Sequence, residues 1–108
     1  MQGPHKLTGS NVDSRVSNRI GVYLLYNSRR GPVRYVGMSG ELAKRLKDHV
    51  SEYSYFEYGY RSSQSKAYKT EAHLYHQHGG KKKLDNERHP PRPHNQVVCP
   101  TCGIHAHV

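Results

Sequence analysis

One carboxylate stands out of place in the second half of the chain. Ala67, Glu71, Leu74, Tyr75 and His78 recur at helical spacing across residues 66–78, so they share one helix face. Burying a charged carboxylate on such a face costs several kcal/mol or shifts its pKa. Glu71 therefore calls for a cation. An Arg or Lys from a neighbouring helix would make it structural; a divalent metal would make it chemical. A second pair, Arg45 and His49, lies four residues apart on another helical stretch, beside the stripe of Leu42, Leu46 and Val50. Taken alone, such a pair is usually a solvated helix edge. Tyr23 and Tyr35 sit in Gly-flanked triplets, Gly21-Val22-Tyr23 and Tyr35-Val36-Gly37. Glycine in a strand often marks the close approach of a ligand or a backbone, although paired strand tyrosines are more often core.

The elements that must position these residues follow from pattern. Residues 20–26, Ile-Gly-Val-Tyr-Leu-Leu-Tyr, are short, apolar and β-rich and predict a strand. Turn formers fill 27–32, and 33–37 predict a second strand, so an antiparallel hairpin is expected. Ser39 is a good N-cap for the helix that carries Arg45 and His49, with Glu41 in its first turn. Residues 51–65 are rich in Tyr and Ser and read as a long loop, because Tyr53, Tyr55, Tyr58 and Tyr60 show no clean period. The Glu71 helix should end at Gly79-Gly80. Residues 81–95 are basic, Pro-containing and irregular, and a short strand is expected at 96–99. Polar residues 1–19 read as a flexible or loosely packed arm.

The joint order is more specific than any part of it. Gly-Val-Tyr is followed after eleven residues by Tyr-Val-Gly; then come a helix reading Leu42-x-x-Arg45-Leu46-x-x-His49, a helical Glu71, and Pro93-His94-Asn95 before a short apolar run. This order resembles the GIY-YIG nuclease family over about residues 20–98. Val replaces Ile in both triplets, which keeps β-branching. Asn95 matches the setting of the family's Asn better than Asn86, at the expense of a long insertion after the glutamate helix. The resemblance implies a small α+β domain, a short antiparallel sheet flanked by helices. It implies a metal-dependent endonuclease that hydrolyses DNA phosphodiester bonds. A single Mg²⁺ (or Mn²⁺) would be held by Glu71, in keeping with the preference of a hard ion for a carboxylate and waters. Tyr23 would be the general base, with His49 able to take its proton. Tyr35 would hold the water or the phosphate, Arg45 would clamp the phosphate, and Asn95 would orient substrate or structure. The division of base work among Tyr23, Tyr35 and His49 stays open.

Bulk properties agree with an anionic partner. Lys plus Arg number 17 against 8 Asp plus Glu, a formal charge of +9, and only 33% of the 108 residues are apolar. One small domain and a polyanion such as DNA are the simplest reading. Arg34, Lys44, Arg61, Lys81, Lys82 and Lys83 are the candidate nucleic-acid contacts, although each basic run alone is more often solvated surface. No signal-peptide core and no long apolar stretch are present, so an intracellular, cytoplasmic, soluble protein without membrane partners is expected. The oligomeric state is open.

The end of the chain poses a separate question. Cys99 and Cys102 are spaced like half of a zinc knuckle, and His105 and His107 follow. Residues 99–108 are thus a Cys/His tail with a candidate structural Zn²⁺ site. His-x-His is tight for one tetrahedral ion, so His76, His78, His89 or His94 could replace one ligand. The alternative reading of the whole chain is a non-catalytic, basic, zinc-containing nucleic-acid-binding module. A redox C-x-x-C protein fits less well, because no βαβ pattern surrounds the motif.

Overall fold

A computed structural model describes residues 2–80 and 83–85. Seven elements follow in order: β1 (Gln2–Lys6), α1 (Gly9–Arg15), β2 (Gly21–Tyr26), β3 (Val33–Ser39), α2 (Leu42–Asp48), β4 (Tyr55–Tyr60) and α3 (Gln64–Gln77). The strands form one antiparallel sheet in the order β1-β4-β2-β3.

The sheet is covered on both faces, which explains the unbroken apolar run of β2. On one face Leu7, Val12, Val16, Leu25, Leu42, Leu46 and Phe56 join Tyr23 and Tyr58 in a single cluster. On the other, Leu24, Tyr26, Val33 and Val36 meet Tyr75 of α3 and Leu84. Every residue of β2 is therefore buried. A strand with helices on both faces reads as continuous rather than alternating hydrophobicity.

The β2–β3 hairpin forms as the triplets predict. Its register sets Tyr23 against Gly37 and Gly21 against Ser39, with an irregularity between Leu25 and Tyr26. Gly21 lies at a tight crossing. A Cβ there would stand 2.6 Å from the Gly59 carbonyl oxygen of β4 and 2.7 Å from Leu42 Cδ2 of α2. This glycine lets the helix start close against the strand.

Three expectations are corrected. The segment read as a loose arm supplies the edge strand β1 and the helix α1, whose Val12 is fully buried. Thr8 caps α1 by accepting a hydrogen bond from the Asn11 amide at 3.1 Å. Polar composition hid this role because one short amphipathic turn needs only Leu7, Val12 and Val16 to reach the core. Residues 51–65 contain a strand, not only a loop. Phe56 and Tyr58 of β4 point inward while Tyr55 and Glu57 are half-buried, a period of two that tyrosine obscures because it serves both environments. Ser39 ends β3 instead of capping α2: Glu41 takes the cap position, and its amide donates to Ser39 Oγ at 3.0 Å.

The remaining helix expectations hold. Ser63 caps α3 by accepting from the Lys66 amide at 3.2 Å. Gly79 and Gly80 stop it at φ 95° and 60°, where a side chain would be strained. The expected strand at 96–99 lies outside the described residues.

Candidate active site

Tyr23 is placed by backbone register. It stands opposite Gly37, and its ring and hydroxyl occupy the position a Cβ at 37 would take. The glycine of the second triplet is thus the seat of the tyrosine of the first. Tyr35, two residues before Gly37, lies on the same face of β3, and its ring stacks near Tyr23 at 6.2 Å and 14°. Both tyrosines look toward the end of α2.

His49 closes the group from that helix. It is the C-cap of α2, is 7% exposed, and its ring lies 5.6 Å from Tyr23 and 5.2 Å from Tyr35. The Tyr23 hydroxyl is 3.2 Å from His49 Nε2. The other ring nitrogen, Nδ1, is 2.6 Å from Glu52 Oε1. Tyr53 completes the wall, with its ring 6.1 Å from Tyr35 and 6.2 Å from His49. Its hydroxyl donates to Asp85 at 2.9 Å. Taken alone, the Arg45–His49 pair read as a solvated helix edge, and only the family resemblance made His49 an acceptor for the Tyr23 proton; the fold buries the ring where α2 ends against β2 and β3.

Arg45 sits one turn earlier on α2. It interacts with the phenols of Tyr23, most strongly, and Tyr35, and these hold its guanidinium pKa above the ordinary value. Its side chain is 48% exposed and makes only a loose 3.9 Å approach to Asp48. It can face both the tyrosines and an incoming anion. Burial pushes the Tyr23 phenol well above its ordinary range, the neighbouring Tyr35 adds to this, and Arg45 opposes it. Tyr23 therefore stands as a neutral phenol that needs an acceptor for its proton.

Glu71 lies mid-way along α3, 7% exposed. Its Oε1 is buried with no hydrogen-bond partner among the described residues. Burial alone pushes its pKa up to about 8. Among the described residues, the Arg or Lys partner that a structural role would require is not at this oxygen. When ionised, Glu71 raises the Tyr23 pKa, the smallest of the influences on that phenol. An orphaned buried carboxylate oxygen suits a hard divalent cation that keeps several waters. Among the described residues no cluster of three or more His, Cys, Asp or Glu side chains exists.

The predicted site residues divide clearly. Tyr23, Tyr35, Arg45 and His49 are brought together, with Glu71 close enough to act electrostatically on Tyr23. Among the basic candidates, Arg34 pairs with Asp85 at 2.6 Å. Arg61 holds Thr70 of α3 at 3.0 Å and the Tyr60 carbonyl at 2.6 Å. Lys44 is largely exposed and 4.0 Å from Glu41, and the Lys83 stem covers Gly79. Lys81, Lys82, Asn95, Cys99, Cys102, His105 and His107 lie outside the described residues. Sequence reasoning missed Glu52, Tyr53 and Asp85. Glu52 had a signal, since it follows His49 by three residues, the spacing of one helical turn.

The fold is GIY-YIG-like. A solved structure that shows it is the N-terminal GIY-YIG endonuclease domain of UvrC from Thermotoga maritima, a point mutant bound to its catalytic divalent cation. That domain aligns at a TM-score of 0.54 and 20% identity, over 66% of this chain and 92% of its own. No protein-family model matches the sequence, and no curated protein matches it. No helix among the described residues is long and apolar enough to cross a membrane.

Proposed function

We propose that this protein is a divalent-cation-dependent endonuclease that hydrolyses DNA phosphodiester bonds. One observation carries the reading: the Tyr23 hydroxyl faces His49 Nε2 at 3.2 Å, and both Arg45 and the buried Glu71 carboxylate act electrostatically on that phenol. A phenol, an imidazole, a guanidinium and a buried carboxylate can supply the base, the proton acceptor, the phosphate clamp and the cation ligand of phosphodiester hydrolysis. The fold it shares with a nuclease domain supports the same assignment.

Each side chain has a defined task. Tyr23 takes a proton from the attacking water while its own proton passes to His49 Nε2. This suits a phenol that burial keeps neutral. Tyr35 holds the water or a phosphate oxygen beside Tyr23. Arg45 binds the scissile phosphate through its planar fork and offsets the charge that builds on it. Glu71 would hold the divalent cation, which when bound supplies Lewis-acid stabilisation of the phosphate and the leaving oxygen.

The net charge of +9 favours association with any polyanion, so binding alone does not establish the activity. Nicking of supercoiled plasmid in Mg²⁺ by the wild-type chain, Glu71→Ala and Arg45→Ala is decisive. Nicking by the wild type and its loss in both variants is expected. Equal nicking by all three refutes the mechanism. Salt-sensitive DNA binding without nicking assigns the chain to a non-catalytic binding module instead.

A further inference from the structure

Glu52 has no place in the mechanism above, yet it makes a 2.6 Å contact to the site from the turn that follows α2. The imidazole it touches is almost fully enclosed. Tyr23 of β2, Tyr35 of β3 and Tyr53 pack around the His49 ring. These aromatic walls fix the ring plane and leave its two nitrogens aimed in different directions. Nε2 meets a phenol oxygen and Nδ1 meets a carboxylate oxygen. Among the described residues no second acidic side chain bonds or pairs with the ring.

A neutral imidazole carries one proton, and the group at one nitrogen decides the role of the other. An ionised carboxylate can only accept hydrogen bonds. Against Glu52, the proton must sit on Nδ1. Nε2 is then a bare lone pair facing the Tyr23 hydroxyl, the state needed to receive a phenolic proton. With the proton on Nε2 instead, the ring would present N–H to Tyr23 and could not accept from it.

We infer that Glu52 is a positioning residue: it accepts the His49 Nδ1 proton, fixes that tautomer, and so makes Nε2 the acceptor for Tyr23. The kinetic consequence rests on the nuclease reading; the tautomer itself does not. Glu52 is a half-exposed surface carboxylate (57%) on a turn, so its replacement leaves the core intact. The effect on rate should be below that of removing a base outright, roughly tenfold to a hundredfold.

Two measurements on the full chain test this separately. In ¹⁵N-labelled protein at alkaline pH, with imidazoles neutral, long-range ¹H–¹⁵N correlation reads which His49 nitrogen is protonated. The Nδ1–H form is expected in the wild type, and a gain of the Nε2–H form in Glu52→Ala. In the nicking assay, Glu52→Ala should lower kcat by about tenfold or more with KM for DNA little changed, and Glu52→Gln should fall between. In a His49→Ala background, Glu52→Ala should cost nothing further. Wild-type His49 protonated on Nε2, or a tautomer indifferent to Glu52→Ala, overturns the inference. So does an unchanged kcat in Glu52→Ala when the wild type nicks DNA. If the wild type does not nick DNA but the tautomer shifts as expected, the nuclease reading fails and the positioning of His49 stands.

Discussion

Glu71→Gln should make the metal-free protein more stable near neutral pH while abolishing nicking. The reason lies in the direction of the Glu71 pKa. Burial raises it from 4.5 to about 8 in the folded chain. Below pH 4.5 the carboxyl is neutral in both folded and unfolded states, and its burial adds no pH-dependent penalty. From 4.5 to about 8 the unfolded chain releases this proton while the folded chain keeps it. Stability is lost across that window at about 1.4 kcal/mol per pH unit. The penalty reaches about 3 kcal/mol at pH 7 and levels off near about 5 kcal/mol above pH 8. Against the typical stability of a small domain, about 5–15 kcal/mol, that is a large fraction. Glutamine keeps the shape and removes the titration. Its own amide desolvation is the same at every pH, so the diagnostic is the difference in slope. Urea unfolding of both proteins in EDTA at pH 5, 6, 7 and 8 reads it. The wild type should lose stability steadily relative to Glu71→Gln, by about 3 kcal/mol or more over the series. Added Mg²⁺ should raise the wild-type midpoint at pH 8 and leave the variant unmoved, because a cation compensates only the charged oxygen. Parallel pH profiles for the two proteins would refute the reasoning.

Three further outcomes follow from packing. Gly37→Ala forces a methyl into the space of the Tyr23 ring and hydroxyl. It should cost about 1–3 kcal/mol in denaturant unfolding and about a hundredfold in nicking rate, through displacement of the base. Phe56→Ala removes a fully buried ring from β4 and should cost about 3–5 kcal/mol by urea unfolding, whereas Tyr55→Ala on the half-buried side should cost clearly less. Tyr60→Phe removes the hydroxyl oxygen that accepts from the Ser17 amide at 2.8 Å. It should cost about 1 kcal/mol and speed hydrogen exchange at Ser17 without changing nicking.

Several features were legible in the sequence because they depend on local chemistry. The β2–β3 hairpin followed from two short β-rich runs and the turn formers between them. The α3 helix followed from period 3.6 and its glycine stop, and Glu71 was conspicuous as a carboxylate on an apolar face. The order of Tyr23, Tyr35, Arg45, His49 and Glu71 pointed to a GIY-YIG-like fold, which the structural likeness to the UvrC domain shows independently. The register Tyr23–Gly37 was implicit in the triplets, but that the glycine seats the tyrosine ring required coordinates.

What the sequence hid is what depends on distant partners. β1 and β4 were missed because an edge strand bearing Pro4 and a strand rich in tyrosine carry weak local signals, and they become strands by pairing with β4 and β2 respectively. The burial of His49 was not legible in its own helix, because it is supplied by tyrosines 14 and 26 positions earlier in the chain, folded back over it. The question the sequence left open at Glu71, between a structural ion pair and a cation site, turned on whether an Arg or Lys could reach Oε1. The packing of α3 on the sheet bears on that: among the described residues the carboxylate oxygen is enclosed with no hydrogen-bond partner. Residue types and their order determined which chemistry was available. The tertiary structure decided which of those groups are buried, Tyr23, His49 and Glu71, and burial raises the proton affinity of Tyr23 and Glu71.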